Sequence, residues 1–185
     1  PIQFNDKNDL KNYPIALQDD IDKLNRLKVD YLFIPKIEDI FEKNFQTTVT
    51  VNDLQKNLCG MHRPGHFNGV TTIVIKLFNI VKPDIAIFGK KDLQQLIIIK
   101  RMVKDLNLDI KIIEGRTIRE RSGLALSSRN KLLTKTNYHK ASKIYLGLKM
   151  AKNQFLNGRN KSIYLKNMLI KFFKSEGLNN IEYVQ

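Results

Sequence analysis

Hydrophobic residues in the first 115 positions follow two alternating patterns. Apolar residues recur every third or fourth position within 14–27, 70–81 and 93–106, which predicts three amphipathic helices. Short continuous apolar runs at 29–34, 84–89 and 110–113 predict buried strands. We also expect a loop over 1–13, a short helix at 37–41 and a β-branched edge strand formed by Thr47, Thr48, Val49, Thr50 and Val51.

The order of these elements determines the predicted fold class. Buried strands separated by helices indicate right-handed crossover units, so we predict an α/β chain with a Rossmann-like parallel sheet. The pattern then changes: two lysine-rich helices are predicted at 130–155 and 161–173, followed by a strand at 181–184. We therefore predict a Rossmann-like domain over 1–117 and a small α+β domain over 118–185.

Composition narrows the class of protein. The 185 residues include one cysteine, which excludes an internal disulfide framework. The longest apolar run is followed at once by Lys100 and Arg101, so neither a membrane span nor a membrane partner is expected. The first residues do not resemble a secretory signal peptide. Together these features predict a cytoplasmic location.

The net charge of +14 by itself suggests a nucleic-acid partner. Its distribution changes that interpretation, because 121–175 contains 13 Lys and Arg and no Asp or Glu, whereas 1–120 is nearly balanced. Aromatic residues do not interleave with the basic segment as they do in RNA-stacking surfaces. We interpret the excess charge as a solvated surface of the second domain. A basic nucleic-acid-binding module remains the alternative function.

Two loops have residues that could bind phosphate. Gly89, Lys90, Lys91 and Asp92 follow a predicted strand and open a helix, where backbone N–H groups and ammonium groups favour an anion. A strand-to-helix turn with solvated lysines is an equal alternative. A second loop, which contains Ser127, Ser128 and Arg129, could grip a nucleotide phosphate. Without further context, a capped helix start is the simpler interpretation of that loop.

Two histidines at a spacing of four residues suggest a metal site at first sight. Pro64 and Gly65 lie between His62 and His66 and prevent a continuous helix, so no metal site is predicted from the protein's own residues. Arg63 and His66 could instead bind an anion at a helix start.

Several strings identify a resemblance that covers nearly the whole chain. The strings are Pro1-x-Gln3-Phe4, Tyr13-Pro14, Thr47-Thr48-Val49, Arg63-Pro64-Gly65-His66-Phe67-x-Gly69-Val70, Phe88-Gly89-x-Lys91-Asp92-x-Gln94-Gln95-Leu96, Arg119-Glu120 and Gly123-Leu124-Ala125-Leu126-Ser127-Ser128-Arg129-Asn130. With these strings in this order, the chain resembles the pantoate–β-alanine ligase family, most strongly from residue 47 to residue 133.

The resemblance implies a nucleotidyltransferase-type Rossmann domain and a C-terminal lid that closes over ATP. It also implies a reaction in two steps with ATP and Mg²⁺. Pantoate first attacks the α-phosphate to give pantoyl adenylate and pyrophosphate, and β-alanine then displaces AMP to give pantothenate. A related adenylating or nucleotidyl-transferring enzyme is the closest alternative.

The resemblance also implies a role for each matching residue. Gln3 and Gln95 would bind pantoate, and Lys91 and Arg129 would act on the phosphates as catalytic residues together with Ser127 and Ser128. The remaining implied contacts with ATP are Gly89, Lys90, Asp92, Ile118 and Leu126, and Tyr13, Arg63 and His66 are further possible site residues.

Two departures from the family pattern matter. Lys90 stands where the family often has Glu, which removes a carboxylate from the phosphate loop. The family's His-x-Gly-His motif would precede Pro1, so we expect the 185-residue chain to be a piece of the enzyme with little activity alone. The resemblance also implies a homodimer formed through the segment 47–51.

Overall fold

The observed elements follow the predicted order over most of the chain. The computed structural model describes Ile2, Phe4 and residues 7–185. The chain is α/β, with a small parallel sheet and many helices. The elements are α1 (Lys7–Lys11), α2 (Leu17–Arg26), α3 (Ile37–Ile40), α4 (Cys59–His62), α5 (His66–Val81), β1 (Ile85–Gly89), α6 (Leu93–Asp105), β2 (Lys111–Gly115), α7 (Lys135–Leu156) and α8 (Ser162–Ser175), with 3-10 turns at Lys90–Asp92 and Ser128–Leu132.

The crossover from β1 through α6 to β2 is the part of the fold that the hydrophobic pattern predicts best. Most of the predicted stripe is buried on α6, where Leu96, Ile99 and Val103 are at most 8% exposed, whereas Leu106 follows the helix and is 45% exposed. The two strands pair with each other. However, the prediction of a fully buried strand at 84–89 is wrong, since Ile87 is 70% exposed. A sheet of two strands leaves apolar side chains of one face without a covering layer.

Two predicted strands are absent from the described residues, and the loop predicted over 1–13 includes the short helix α1. Residues 29–34 and 181–184 have no strand structure, and Tyr31 in the first segment is 93% exposed. Apolar and β-branched composition favours a strand only where another strand pairs with its N–H and C=O groups. Within the described residues, neither segment has such a neighbour.

The predicted edge strand at 47–51 is also wrong, because side chains of α5 bind its backbone. The Val49 N–H donates to Thr72 Oγ1 over 3.0 Å, and the Thr71 hydroxyl donates to the Val49 carbonyl. Both threonines are at most 2% exposed. Two buried hydroxyls thus replace the partner strand that the β-branched composition predicted.

Replacing Thr72 by valine should lower the free energy of unfolding by about 1–2 kcal/mol, since the partly buried Val49 N–H loses its acceptor while shape is preserved. Urea denaturation measures this difference. Thr72→Ser is the matched control, because serine keeps the hydroxyl. A valine variant as stable as the parent chain would contradict the role of this hydrogen bond.

The chain divides into two compact units. Unit 1 comprises residues 1–87 and 94–113, and unit 2 comprises residues 88–93 and 114–185. In unit 2, α7 packs against α8, and Leu169 and Phe173 of α8 are buried. Among the described residues, no helix has the length and apolar character needed to cross a membrane.

Candidate active site

The two loops that the sequence singled out for phosphate belong to the same unit. Unit 2 includes the segment from Phe88 to Leu93 as well as everything after Glu114. It therefore contains the phosphate loop, Gly89 to Asp92, and the serine–arginine segment, Ser127 to Arg129. Residues separated by more than 30 positions in the chain are thus assigned to one compact body.

The phosphate loop lies at the carboxyl end of β1. Gly89 has an ordinary extended conformation, with φ of −73°, so the backbone does not require glycine here. The absence of a side chain instead leaves space at this position. A Cβ added to Gly89 would meet no atom within 4 Å. The following Lys91 ammonium lies 3.2 Å from Asp92 Oδ1, and its side chain is 39% exposed. This arrangement leaves open volume beside a positively charged group at the edge of the sheet where α/β proteins bind ligands.

Lys90 pairs with a different carboxylate from the one that Lys91 contacts. Its ammonium lies 2.5 Å from Glu114 Oε2 at the end of β2. A carboxylate therefore still lies beside this loop, although it comes from the adjacent strand. The pair is about half exposed and contributes little to stability, but it holds the Lys90 side chain on Glu114.

A short hairpin presents two apolar side chains to solvent. The Leu126 N–H donates to the Ile118 carbonyl over 2.9 Å, and the Glu120 N–H donates to the Leu124 carbonyl over 2.8 Å. Ile118 is 62% exposed and Leu126 is 52% exposed. Exposed apolar residues on neighbouring strands form a surface suited to the flat face of a ligand ring.

The serine–arginine segment begins a 3-10 turn and is held by side chains. Ser127 Oγ accepts a hydrogen bond from the Arg129 N–H over 3.3 Å, which caps the turn. Asn130 Nδ2 then donates to Glu120 Oε1 over 3.1 Å and to the Ala125 carbonyl over 3.0 Å. Glu120 also accepts a hydrogen bond from the Tyr138 hydroxyl. Asn130 and Glu120 were quoted in the sequence strings, but only the contacts show that they position this segment.

Replacing Asn130 by alanine should loosen the serine–arginine segment without removing a phosphate contact. We expect amide hydrogen exchange at residues 127–132 to accelerate about thirtyfold, since two hydrogen bonds worth roughly 1 kcal/mol each are lost. Asn137→Ala on α7 is the control, because the Asn137 side chain is exposed. If the amide exchange rates were unchanged in Asn130→Ala, the Asn130 hydrogen bonds would not be what stabilises this turn.

The predicted pantoate residue Gln95 lies in unit 1, in the first turn of α6, and is half-buried. Its neighbour Gln94 has a structural role that sequence analysis missed. Gln94 Nε2 donates to the carbonyls of Leu54 and Asn57 over 2.9 and 2.7 Å, and Gln94 Oε1 accepts from the Gly60 N–H over 3.4 Å. One of the paired glutamines thus fastens the loop 54–60 to α6.

The other sequence-predicted residues also lie in unit 1 or outside the described residues. Arg63 Nη1 lies 3.3 Å from His66 Nε2, and Gly65 between them has a φ of +78°, which ends α4 and starts α5 as Pro64-Gly65 predicts. Tyr13 packs edge-on against Phe4, with ring centroids 5.5 Å apart. Gln3 is outside the described residues. Within the described part of the chain, no group of three or more potential ligands could hold a metal ion.

Known proteins provide an independent test of the resemblance. The profile described as Pantoate-beta-alanine ligase matches residues 1–185. The chain belongs to this family. It is 42% identical over 185 residues to pantothenate synthetase of Pseudothermotoga lettingae, and 46% identical over 184 residues to that of Thermodesulfovibrio yellowstonii. These matches cover 100% and 99% of this chain but 66% and 65% of the relatives, so the chain spans about two thirds of their length.

Solved structures of the same family have the same fold. Pantothenate synthetase of Thermus thermophilus superposes with a TM-score of 0.85 at 37% identity, covering 95% of this chain and 62% of the other. The ligase of Francisella tularensis, solved in complex with beta-gamma ATP and beta-alanine, gives a TM-score of 0.83 at 40% identity. That match covers 96% of this chain and 64% of the other. The prediction of a nucleotidyltransferase-type α/β fold is confirmed.

Proposed function

We propose that this chain provides most of an ATP-dependent ligase that joins pantoate to β-alanine. The observation that carries the proposal is the match of the family profile to every position of the chain. The Francisella tularensis relative was solved with beta-gamma ATP and beta-alanine, two of the ligands that the proposed reaction uses. The open volume beside Gly89 and Lys91 supports nucleotide binding at the phosphate loop.

The proposed chemistry has two displacements. A pantoate carboxylate oxygen attacks the α-phosphorus of ATP, the bond to the bridging oxygen breaks, and pyrophosphate leaves. The β-alanine amine then attacks the acyl carbon of the adenylate, AMP leaves with the bonding electron pair, and the amine loses a proton. No covalent enzyme intermediate is required, so the protein acts by alignment and by charge neutralisation.

The candidate residues of unit 2 divide the binding of ATP among them in this proposal. The Lys91 ammonium neutralises charge that develops on the phosphates, and Ser127, Ser128 and Arg129 hold the polyphosphate chain. Ile118 and Leu126 provide the exposed apolar surface for adenine, and Asp92 binds the ribose. Mg²⁺ enters with ATP, with the phosphate oxygens as its ligands.

Pantoate is assigned to Gln3 and Gln95, both on the resemblance. Gln95 has both an amide donor and a carbonyl acceptor, which suits a substrate with hydroxyl and carboxylate groups. We propose the cytoplasm as the location of this reaction. We also propose that two copies associate through the segment 47–51, which sedimentation equilibrium would test.

Pyrophosphate exchange tests the proposed reaction directly. Labelled pyrophosphate should enter ATP only when pantoate is present, and AMP release should also require β-alanine. The assay is run on the 185-residue chain and on a longer chain that spans the full length of the relatives. Exchange that responds to a different carboxylic acid would indicate a related adenylating enzyme, and no exchange in the longer chain would contradict the proposal.

A further inference from the structure

A cleft in unit 2 is lined by residues outside the proposed nucleotide contacts. It encloses about 580 Å³ between the turn at 117–123 and one face of α7. Neither the phosphate loop nor the serine–arginine segment lines it. Arg119, which does line it, alternates with Ile118 along an extended segment, so the two side chains point to opposite faces of the hairpin.

Positive charge dominates the lining of this basic cleft. Arg119 and Arg121 come from the hairpin turn, and Lys143 and Lys149 come from α7. One broad face of α7 lines the cleft, because His139, Ser142, Leu146 and Lys149 follow one another at spacings of three or four residues. Lys143 lies at the opposite edge of that face from Lys149. The lysines on α7 and the arginines on the turn therefore face the same space.

The negative charges near this cleft are already engaged. Glu120 is the acidic residue of the lining, and its two carboxylate oxygens accept hydrogen bonds from Asn130 and Tyr138. Glu176 lies 3.5 Å from Lys143 and balances that ammonium in part. Glu120 keeps its negative charge, because both of its donors are neutral. The four cations Arg119, Arg121, Lys143 and Lys149 therefore exceed the carboxylates of Glu120 and Glu176 by two charges, and this excess attracts an anion into the cleft.

Arg119 is held in place before any ligand arrives. Its guanidinium stacks on the Tyr145 ring, 3.8 Å from the ring centroid, and Nη1 donates to the Gly123 carbonyl over 3.2 Å. Gly123 permits this close packing: its φ is +89°, and an added Cβ would lie 3.2 Å from Tyr145 Cδ1. A planar guanidinium fixed by stacking loses little entropy when it binds an anion.

We propose that the basic cleft binds the di- or triphosphate group of a small molecule, at a site separate from the proposed ATP site. The volume is typical of small-molecule sites. A short open concavity with charges contributed by both the turn and α7 suits a compact polyanion better than a nucleic acid, which needs a groove that follows its backbone. Guanidinium groups bind phosphate oxygens in a bidentate manner, which gives the site its preference for phosphate.

Titration with inorganic pyrophosphate, followed by amide NMR, tests the site and its position. The amide resonances of residues 117–123 and 139–149 should shift with a common binding curve. That curve should be independent of any shifts at the phosphate loop. The variant Arg121→Ala/Lys149→Ala should weaken binding at this site at least about tenfold, because two charged partners are lost. The variant Lys152→Ala/Lys171→Ala removes the same charge from exposed positions outside the lining and should change the affinity by less than about twofold.

A comparison of two ligands shows whether the site recognises the phosphates alone or a whole nucleotide. Equal affinity for pyrophosphate and uridine diphosphate supports recognition of the phosphates alone, and tighter binding of the nucleotide supports a nucleotide ligand. Three results would overturn the proposal. The first is that the amide resonances of 117–123 and 139–149 stay unshifted, and the second is that the control variant loses as much affinity for pyrophosphate as Arg121→Ala/Lys149→Ala. The third is that a single-stranded oligonucleotide binds these residues more tightly than pyrophosphate does.

Discussion

Replacing Lys91 by alanine should slow pantoate-dependent pyrophosphate exchange by about a hundred- to a thousandfold, the loss typical of a single group that stabilises transition-state charge. The ammonium is available to act on phosphate, because its contact in this structure is the adjacent carboxylate of Asp92 at 3.2 Å, and such exposed pairs are weak. Phosphates would therefore replace that carboxylate as its partner at little cost. The exchange rate is measured with the longer chain, or with the 185-residue chain if that chain catalyses the exchange.

The matched control is Lys104→Ala, which removes one exposed ammonium from the end of α6. This variant should exchange within about twofold of the parent chain, as is usual for surface substitutions away from a site. Thermal denaturation of both variants separates a catalytic loss from unfolding. A Lys91 variant that retains most of the exchange rate would remove Lys91 from the mechanism.

Replacing Gly147 by valine should lower the free energy of unfolding of unit 2 by about 3 kcal/mol, through overpacking of the contact between α7 and α8. A Cβ at this position would lie 2.5 Å from Phe173 Cε1 and 3.0 Å from Phe172 Cδ1. Phe173 is only 8% exposed, so its ring has little room to move away. Chemical denaturation followed by tyrosine fluorescence measures the change, since the chain has no tryptophan and six tyrosines.

Met150→Val is the control for this prediction. It places a β-branched residue on the same helix, at a side chain that is 37% exposed, and should cost only a few tenths of a kcal/mol through helix propensity. The double variant Gly147→Val/Phe173→Leu should recover part of the lost stability because the smaller side chain makes room. If Gly147→Val and Met150→Val lowered the free energy of unfolding by the same amount, a side chain at position 147 would not overpack the contact between α7 and α8.

Elements with a local pattern were predictable from the sequence. The helix α5 begins after Gly65 and ends before Pro83, and α6 buries Leu96 and Ile99 as the apolar stripe predicts. Helices form their hydrogen bonds within one segment, so spacing and end signals are sufficient to locate them. The pair β1 and β2 was also predictable, since a single helix connects the two strands.

Predictions that depended on a distant partner failed or were incomplete. Residues 29–34 and 181–184 have strand-like composition but no neighbouring strand among the described residues. Val49 is bound by threonine side chains instead of a strand. In the candidate site, the roles of Asn130, Glu120 and Gln94 could not be predicted, because each depends on a contact with a residue elsewhere in the chain.

The sequence by itself determined the family, the helical elements and the residue types of the two loops proposed to bind phosphate. Only the tertiary structure decided that Lys90 pairs with Glu114 whereas Lys91 pairs with Asp92, and that Arg119 stacks on Tyr145 in a separate cleft. The physical reason is the range of the interactions. Propensity and periodicity act between close neighbours in the chain, whereas charge pairing, stacking and strand pairing depend on which distant residues the fold brings together.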